Sequence, residues 1–129
     1  MKTLYMTVCV MVSVLIIAGC AKTQSKKMIV NIALKNSSTN ALDWVELQWE
    51  GAGPDVPGGI LSPGIIKDTR GVEWPQVPSV TVTFVDDKTR KPHEIRVSLD
   101  SINDRVSTGR CHDILVEILS YSDAKITCR

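Results

Sequence analysis

The chain has few of the residues that most often signal chemistry. It holds two histidines and four cysteines, and no CxxC or HxxxH pair that would suggest a zinc site. Charge is nearly balanced, with fifteen Lys and Arg against fourteen Asp and Glu. The basic residues are scattered, and Lys26-Lys27 and Arg90-Lys91 are the only adjacent pairs. That distribution argues against a nucleic-acid partner, which would favour a basic stripe, and offers nothing to capture a charged substrate. Aromatic residues make up 5% of the chain, so each of its three tryptophans carries weight. Beyond residue 19 there is no long apolar run.

One such run lies at the start. Met1-Lys2-Thr3 is basic, and Leu4 to Ala18 carries no charge. A membrane-spanning helix needs about 20 residues, so the run is short for a permanent span. A charged start, an apolar middle and small residues before a cut describe a secretory signal. An uncleaved anchor or an ordinary signal peptide are the alternatives. The closing Ile17-Ala18-Gly19-Cys20 resembles the lipobox of bacterial lipoproteins. The resemblance implies a diacylglycerol on the Cys20 thiol, cleavage between Gly19 and Cys20, and acylation of the new amino group. Two or more acyl chains give a stable anchor where one binds only marginally. By resemblance to enterobacterial lipoproteins, Ala21 in place of an aspartate implies the outer membrane, with the domain facing the periplasm. The mature domain resembles no specific family.

On this reading residues 1–19 are a signal peptide, 20–27 a lipidated cysteine and polar tether, and 28–129 one β-rich periplasmic domain. Only Lys2 leaves with the signal, so the mature chain is formally neutral. Cys9 also leaves and Cys20 takes the lipid. Cys111 and Cys128 remain, and an oxidising compartment suggests that they form a disulfide. Two buried thiols are the alternative.

Alternating apolar residues predict strands over Met28–Lys35, Leu42–Glu50, Ser79–Asp86 and His93–Leu99. The last two form a hairpin across Asp87–Pro92. Gly51–Gly59 and Gly71–Pro78 are too rich in glycine and proline for regular structure. Asp100–Arg110 reads as a loop, with a short helical turn capped by Asp100 as an option. Residues 111–120 satisfy two periods. A helix would bring the two thiols level, whereas a strand would do so only with a bend before Ile114, where Gly109 to Asp113 could supply it. The strand with a bend is favoured. The expected fold is all-β, a small antiparallel sandwich or barrel of about seven strands, with a short helix near 111–120 as the variant.

No residue set looks catalytic, and no cofactor or metal is implied. Cys111-His112-Asp113 is a run of neighbours, which rarely converge on one point. Trp44 has the wrong parity for the core face of its strand, so either a bulge near Asp43 re-aims it or it lies on the outer surface. Trp74 sits in a proline-stiffened loop. These two, with Pro54 and Asp55 of the glycine-rich loop, form a candidate contact surface, and the alternative is that all three tryptophans fill the core. The sequence therefore points to a non-enzymatic envelope lipoprotein that binds a protein or cell-envelope component. A lipid-anchored inhibitor or immunity protein acting against a lytic or toxic enzyme is the second reading. Replacing Cys20 by Ser is expected to abolish the acyl mass and leave the precursor uncut, as read by intact-protein mass spectrometry. Normal maturation of Cys20→Ser would refute the lipobox.

Overall fold

The computed structural model describes residues 27–129, so the signal stretch and Cys20 lie outside the described residues. Eight strands form: β1 (Ile29–Asn36), β2 (Leu42–Trp49), β3 (Pro57–Leu61), β4 (Ile66–Glu73), β5 (Ser79–Asp86), β6 (Pro92–Ser98), β7 (Asp113–Ile118) and β8 (Ala124–Cys128). Among the described residues one helix, α1 (Asp100–Ser107), joins β6 to β7. The strands make two four-stranded sheets, in the orders β4-β1-β7-β8 and β3-β2-β5-β6. The result is a β-sandwich, not a closed barrel. Every pairing is antiparallel except β1 with β7, which is parallel.

The core follows the alternation of the sequence. Val30, Ile32 and Leu34 of β1 face Leu42, Val45 and Leu47 of β2, together with Val80, Val82 and Phe84 of β5, and all are buried. The β5–β6 hairpin forms in the expected register, with Val82 opposite Ile95. β-Branched side chains dominate β5 and supply Ile95 and Val97 of β6, and these fit the pleated, half-buried surface best.

Three local expectations need correction. Residues 57–59 are not irregular but open β3, where Gly58 lies so close to its neighbours that an added Cβ would sit 3.0 Å from Val45 and Leu34. Residues 71–73 extend β4 through a bulge opposite Asn31, with Gly71 at φ 68°. Asp100–Ser107 is a two-turn helix whose N-cap position is Leu99, and Asp100 makes no capping bond. It forms because Ile102 and Val106 share a face four residues apart and bury it in the core. Of the two readings of residues 111–120 the strand is the one observed, and the helical variant is not. β7 supplies the central partner for both β1 and β8.

The bend required by a strand here is present. Ile114 pairs with Cys128, which leaves Cys111 beyond the end of the ladder. Gly109 at φ 73° turns the chain, and the Arg110 N–H donates to the Arg105 carbonyl. Cys111 thereby returns to 5.8 Å from Cys128, Cα to Cα, and the two form a disulfide. It joins the start of β7 to the end of β8.

The chain changes sheets at 37–41 and again at 62–65, and both crossings meet at Asn36. Its side chain is fully buried. Its Nδ2 donates to the carbonyls of Asn40 (2.7 Å) and Leu61 (2.8 Å), and its Oδ1 accepts from the N–H and hydroxyl of Ser38. Its main chain bonds Gly64 and Ile65. Asn36→Leu would deprive the buried Leu61 carbonyl and the Ser38 N–H of their side-chain partner and leave the Asn40 carbonyl with the Ser38 hydroxyl alone. A loss on the order of 3 kcal/mol is expected in denaturant unfolding, and a change under about 1 kcal/mol would refute this role.

Candidate contact surface

The four residues of the expected surface are not brought together. Trp74 is a core residue, 4% exposed. Its indole N–H donates to Asn103 Oδ1 of α1 at 2.7 Å, and its ring meets Trp49 edge-on at 5.4 Å. Asn103 also donates to the Val77 carbonyl, so the helix holds the stiff 74–78 connection against the sandwich. Pro54 and Asp55 belong to the same end. The Trp49 indole N–H donates to the Pro54 carbonyl at 2.7 Å and folds the glycine loop back onto its own strand. Gly53 lies against the Trp49 ring with no room for a Cβ. Two open depressions flank the loop, one of about 480 Å³ between Glu46–Trp49 and Gly51–Asp55 and one of about 340 Å³ bordered by Ala52, Gly53, Pro54, Glu73 and Pro75.

Trp44 stands alone at the other end of β2, 69% exposed. It occupies a bulge, because the register of β2 shifts between Asp43 and Glu46 against β5 and between Leu42 and Val45 against β3. Its φ is 53°, a left-handed conformation that a bulky residue rarely adopts. Asp43 holds it there: one carboxylate oxygen accepts the Trp44 N–H at 3.2 Å, and the other takes the Arg90 guanidinium at 3.0 Å. Arg90, itself at φ 58°, is fixed by its N–H to the Asp86 carbonyl. Both sequence alternatives for Trp44 are thus realised together, a bulge at Asp43 and a place on the outer face.

The register adds residues that parity alone did not single out. Ile60 of β3, 68% exposed, lies opposite the bulge, between the pairs Leu42–Leu61 and Val45–Gly59. Asp43 pairs with Val85, and Val85 with Pro92. One row across the four strands therefore reads Ile60, the Asp43–Trp44 bulge, Val85 and Pro92 on the outer face of the second sheet, apolar except for Asp43, whose carboxylate is taken by Arg90. The next row is Glu46, Thr83 and Glu94. Cross-strand spacing of about 5 Å puts these side chains within reach of a single partner surface.

The histidines are placed apart. His93 stacks between Phe84 (5.4 Å) and Tyr121 (4.5 Å, rings within 12° of parallel). His112 is exposed beside the disulfide, and Asp113 accepts from Asn31 instead of turning toward it. Among the described residues no three His, Cys, Asp or Glu side chains could hold a metal ion. A small concavity of about 170 Å³ lies between Ser37–Asn40 and Leu119–Tyr121.

Two acids near this face are tuned by hydrogen bonds. The Thr89 hydroxyl, 2.7 Å from Asp86, holds that carboxyl below its usual range against the opposing effect of burial, helped by the Lys88 N–H. The Ser37 hydroxyl does the same for Glu117, again against burial, with Lys125 adding its charge. Burial, then the Asp86 carboxylate, raises Tyr121.

These features define a small two-sheet β-sandwich that displays Trp44 on the outer face of one sheet. No family model matches the chain, and no curated protein matches it. Among solved structures it is similar to a protein from Eubacterium rectale determined by NMR, at a TM-score of 0.47 and 13% identity. The match covers 82% of this chain and 93% of that one. A likeness so remote carries no argument about function.

Asp86 and Glu117 both have folded-state pKa values below their unfolded ones. Their contribution to stability is complete above the unfolded values, near pH 4, and is lost as pH falls through the folded ones. Unfolding free energy is expected to drop below about pH 4, and Asp86→Asn with Glu117→Gln should flatten that limb. An acid limb of equal steepness in the double variant would show that other groups set it.

Proposed function

We propose that this chain is a lipid-anchored envelope protein that binds a protein or cell-envelope component through the outer face of β3-β2-β5-β6, without catalysing a reaction. The observation that carries the proposal is Trp44. A backbone of this kind costs about 1–3 kcal/mol, and the fold has no use for an indole in solvent. Strain spent on displaying a large aromatic side chain is explained by a partner that covers it. Tryptophan is among the residues that most often anchor interfaces, and Ile60, Val85 and Pro92 extend the apolar contact.

Position supports the same reading. The tether enters β1 at Ile29, which pairs with Glu73 at one end of the first sheet. Trp44 lies near the other end, where Asn36 bonds Leu61 and Leu61 pairs with Leu42. At about 3.3 Å per residue the contact point stands roughly 20 Å from the point where the chain enters β1. An upright domain thus presents it away from the lipid. Nothing in the 51–56 loop, drawn back onto Trp49, favours the inhibitor reading.

The test uses the full chain in cells, with a photoreactive residue at position 60 and a control at position 125 on the other sheet. A discrete adduct is expected from position 60 only, and it should fall at least about fivefold in Trp44→Gly. That variant relieves the left-handed backbone, so it should gain about 1 kcal/mol of stability while losing the contact. Absence of an adduct at 60, or equal adducts from 60 and 125, would overturn the proposal.

A further inference from the structure

The four edge strands are not equally protected. β3 opens on Pro57 and carries a bulge, with Gly59 at φ 60°. β4 is broken by its own bulge, where the Gly71 N–H is taken by the Asn31 side chain. β8 has five residues. Short length, bulges, an edge proline and charged side chains all blunt an edge against pairing. β6 opens on Pro92 and carries Glu94 and Arg96, but it has no bulge and runs seven residues in unbroken register with β5, so charge alone governs what can pair along it.

The direction of its open hydrogen-bonding groups can be worked out. The Leu99 N–H donates to the Pro78 carbonyl at 2.9 Å, and the Lys91 carbonyl accepts from the Asp86 N–H at 3.0 Å. Main-chain groups alternate sides along an antiparallel strand, so residues 93, 95 and 97 bond β5. Glu94, Arg96 and Ser98 turn their N–H and C=O groups to the open side, and all three are exposed. Pro92, which has no N–H to offer, falls on the open side as well, where a strand tolerates it.

From this we infer that β6 is a homodimer edge, pairing antiparallel with β6 of a second copy about a two-fold axis through Ile95. Charge selects both the occupant and the register. With Ile95 opposite Ile95, Glu94 of each copy lies opposite Arg96 of the other, in a hydrogen-bonded pair, and the contact carries two ion pairs on the outer face. Sliding the strands by one pleat in either direction sets Glu94 against Glu94 or Arg96 against Arg96, which opposes pairing. Closure about a two-fold uses the same patch on both subunits. It joins the outer faces of both copies into one eight-stranded surface, with two Trp44 side chains on the same side. The inference does not depend on what that surface binds.

Arg96 also pairs with Glu50 within its own chain at 3.3 Å, so the test avoids relying on one variant. The full-length chain in excess detergent micelles is examined by sedimentation, as wild type, as Glu94→Arg, as Arg96→Glu, and as an equal mixture of the two variants. Wild type is expected to be dimeric. Each variant alone opposes like charges twice and should weaken the dimer at least about tenfold. In a mixed dimer the two arginines of the Glu94→Arg chain face the two glutamates of the Arg96→Glu chain, so dimer returns, which also proves that both variants fold. A monomeric wild type at about 100 μM, single variants that remain dimeric, or a mixture that stays monomeric would each overturn the inference.

Discussion

The chain changes sheets four times, and the Asn36 amide ties two of those crossings together. A buried amide is costly unless its donors and acceptor are all matched. Asn36 meets that condition with partners from both crossings, the 37–41 turn and the end of β3. Its main chain adds the 62–65 turn. The amide therefore sets the distance between the end of β1 and the Leu42–Leu61 pair of the second sheet. The Asp43–Trp44 bulge follows immediately after that pair. The pose of the exposed indole thus depends on a polar side chain in the opposite sheet, and the Arg90–Asp43 bridge secures it from the β5–β6 turn.

Much of the strand pattern was legible, for a definite reason. Where one face of a strand is buried, alternation records it, as in β5 and β6, and the expected hairpin is the one observed. The bend before Ile114 was legible because a disulfide imposes a distance, and a straight strand fails it. Regions where two signals compete were less clear. Gly58 and Gly59 signal a loop by composition, yet β3 needs a glycine at 58 because its backbone runs against Val45 and Leu34. The helix was legible only as an optional turn within a loop, because its apolar face is only Ile102 and Val106, in a segment otherwise polar. The parallel pairing of β1 with β7 leaves no local trace at all, since register between distant strands is set by packing.

The contact surface shows the same division. Trp44 was visible because its parity conflicted with its neighbours, a conflict that only a bulge or an outward placement resolves. Trp74 has the same composition around it as an exposed loop aromatic, and its burial depends on Asn103, a residue 29 positions away. Val85, Pro92 and Ile60 become part of a surface only once the cross-strand register is known. A sequence can flag an anomaly at one position, whereas the neighbours of that position belong to the sheet.

The parallel β1–β7 pair has a consequence for the order of assembly. Asn31 bonds Asp113 across 82 residues, so the first strand of the domain waits for the last third of the chain before its sheet can close. Non-local pairings of this kind make folding slow, because the loop must be closed before any contact rewards it. A nascent chain would pair all of β3-β2-β5-β6 before β7 emerged, and only then could the β4-β1-β7-β8 sheet close over it.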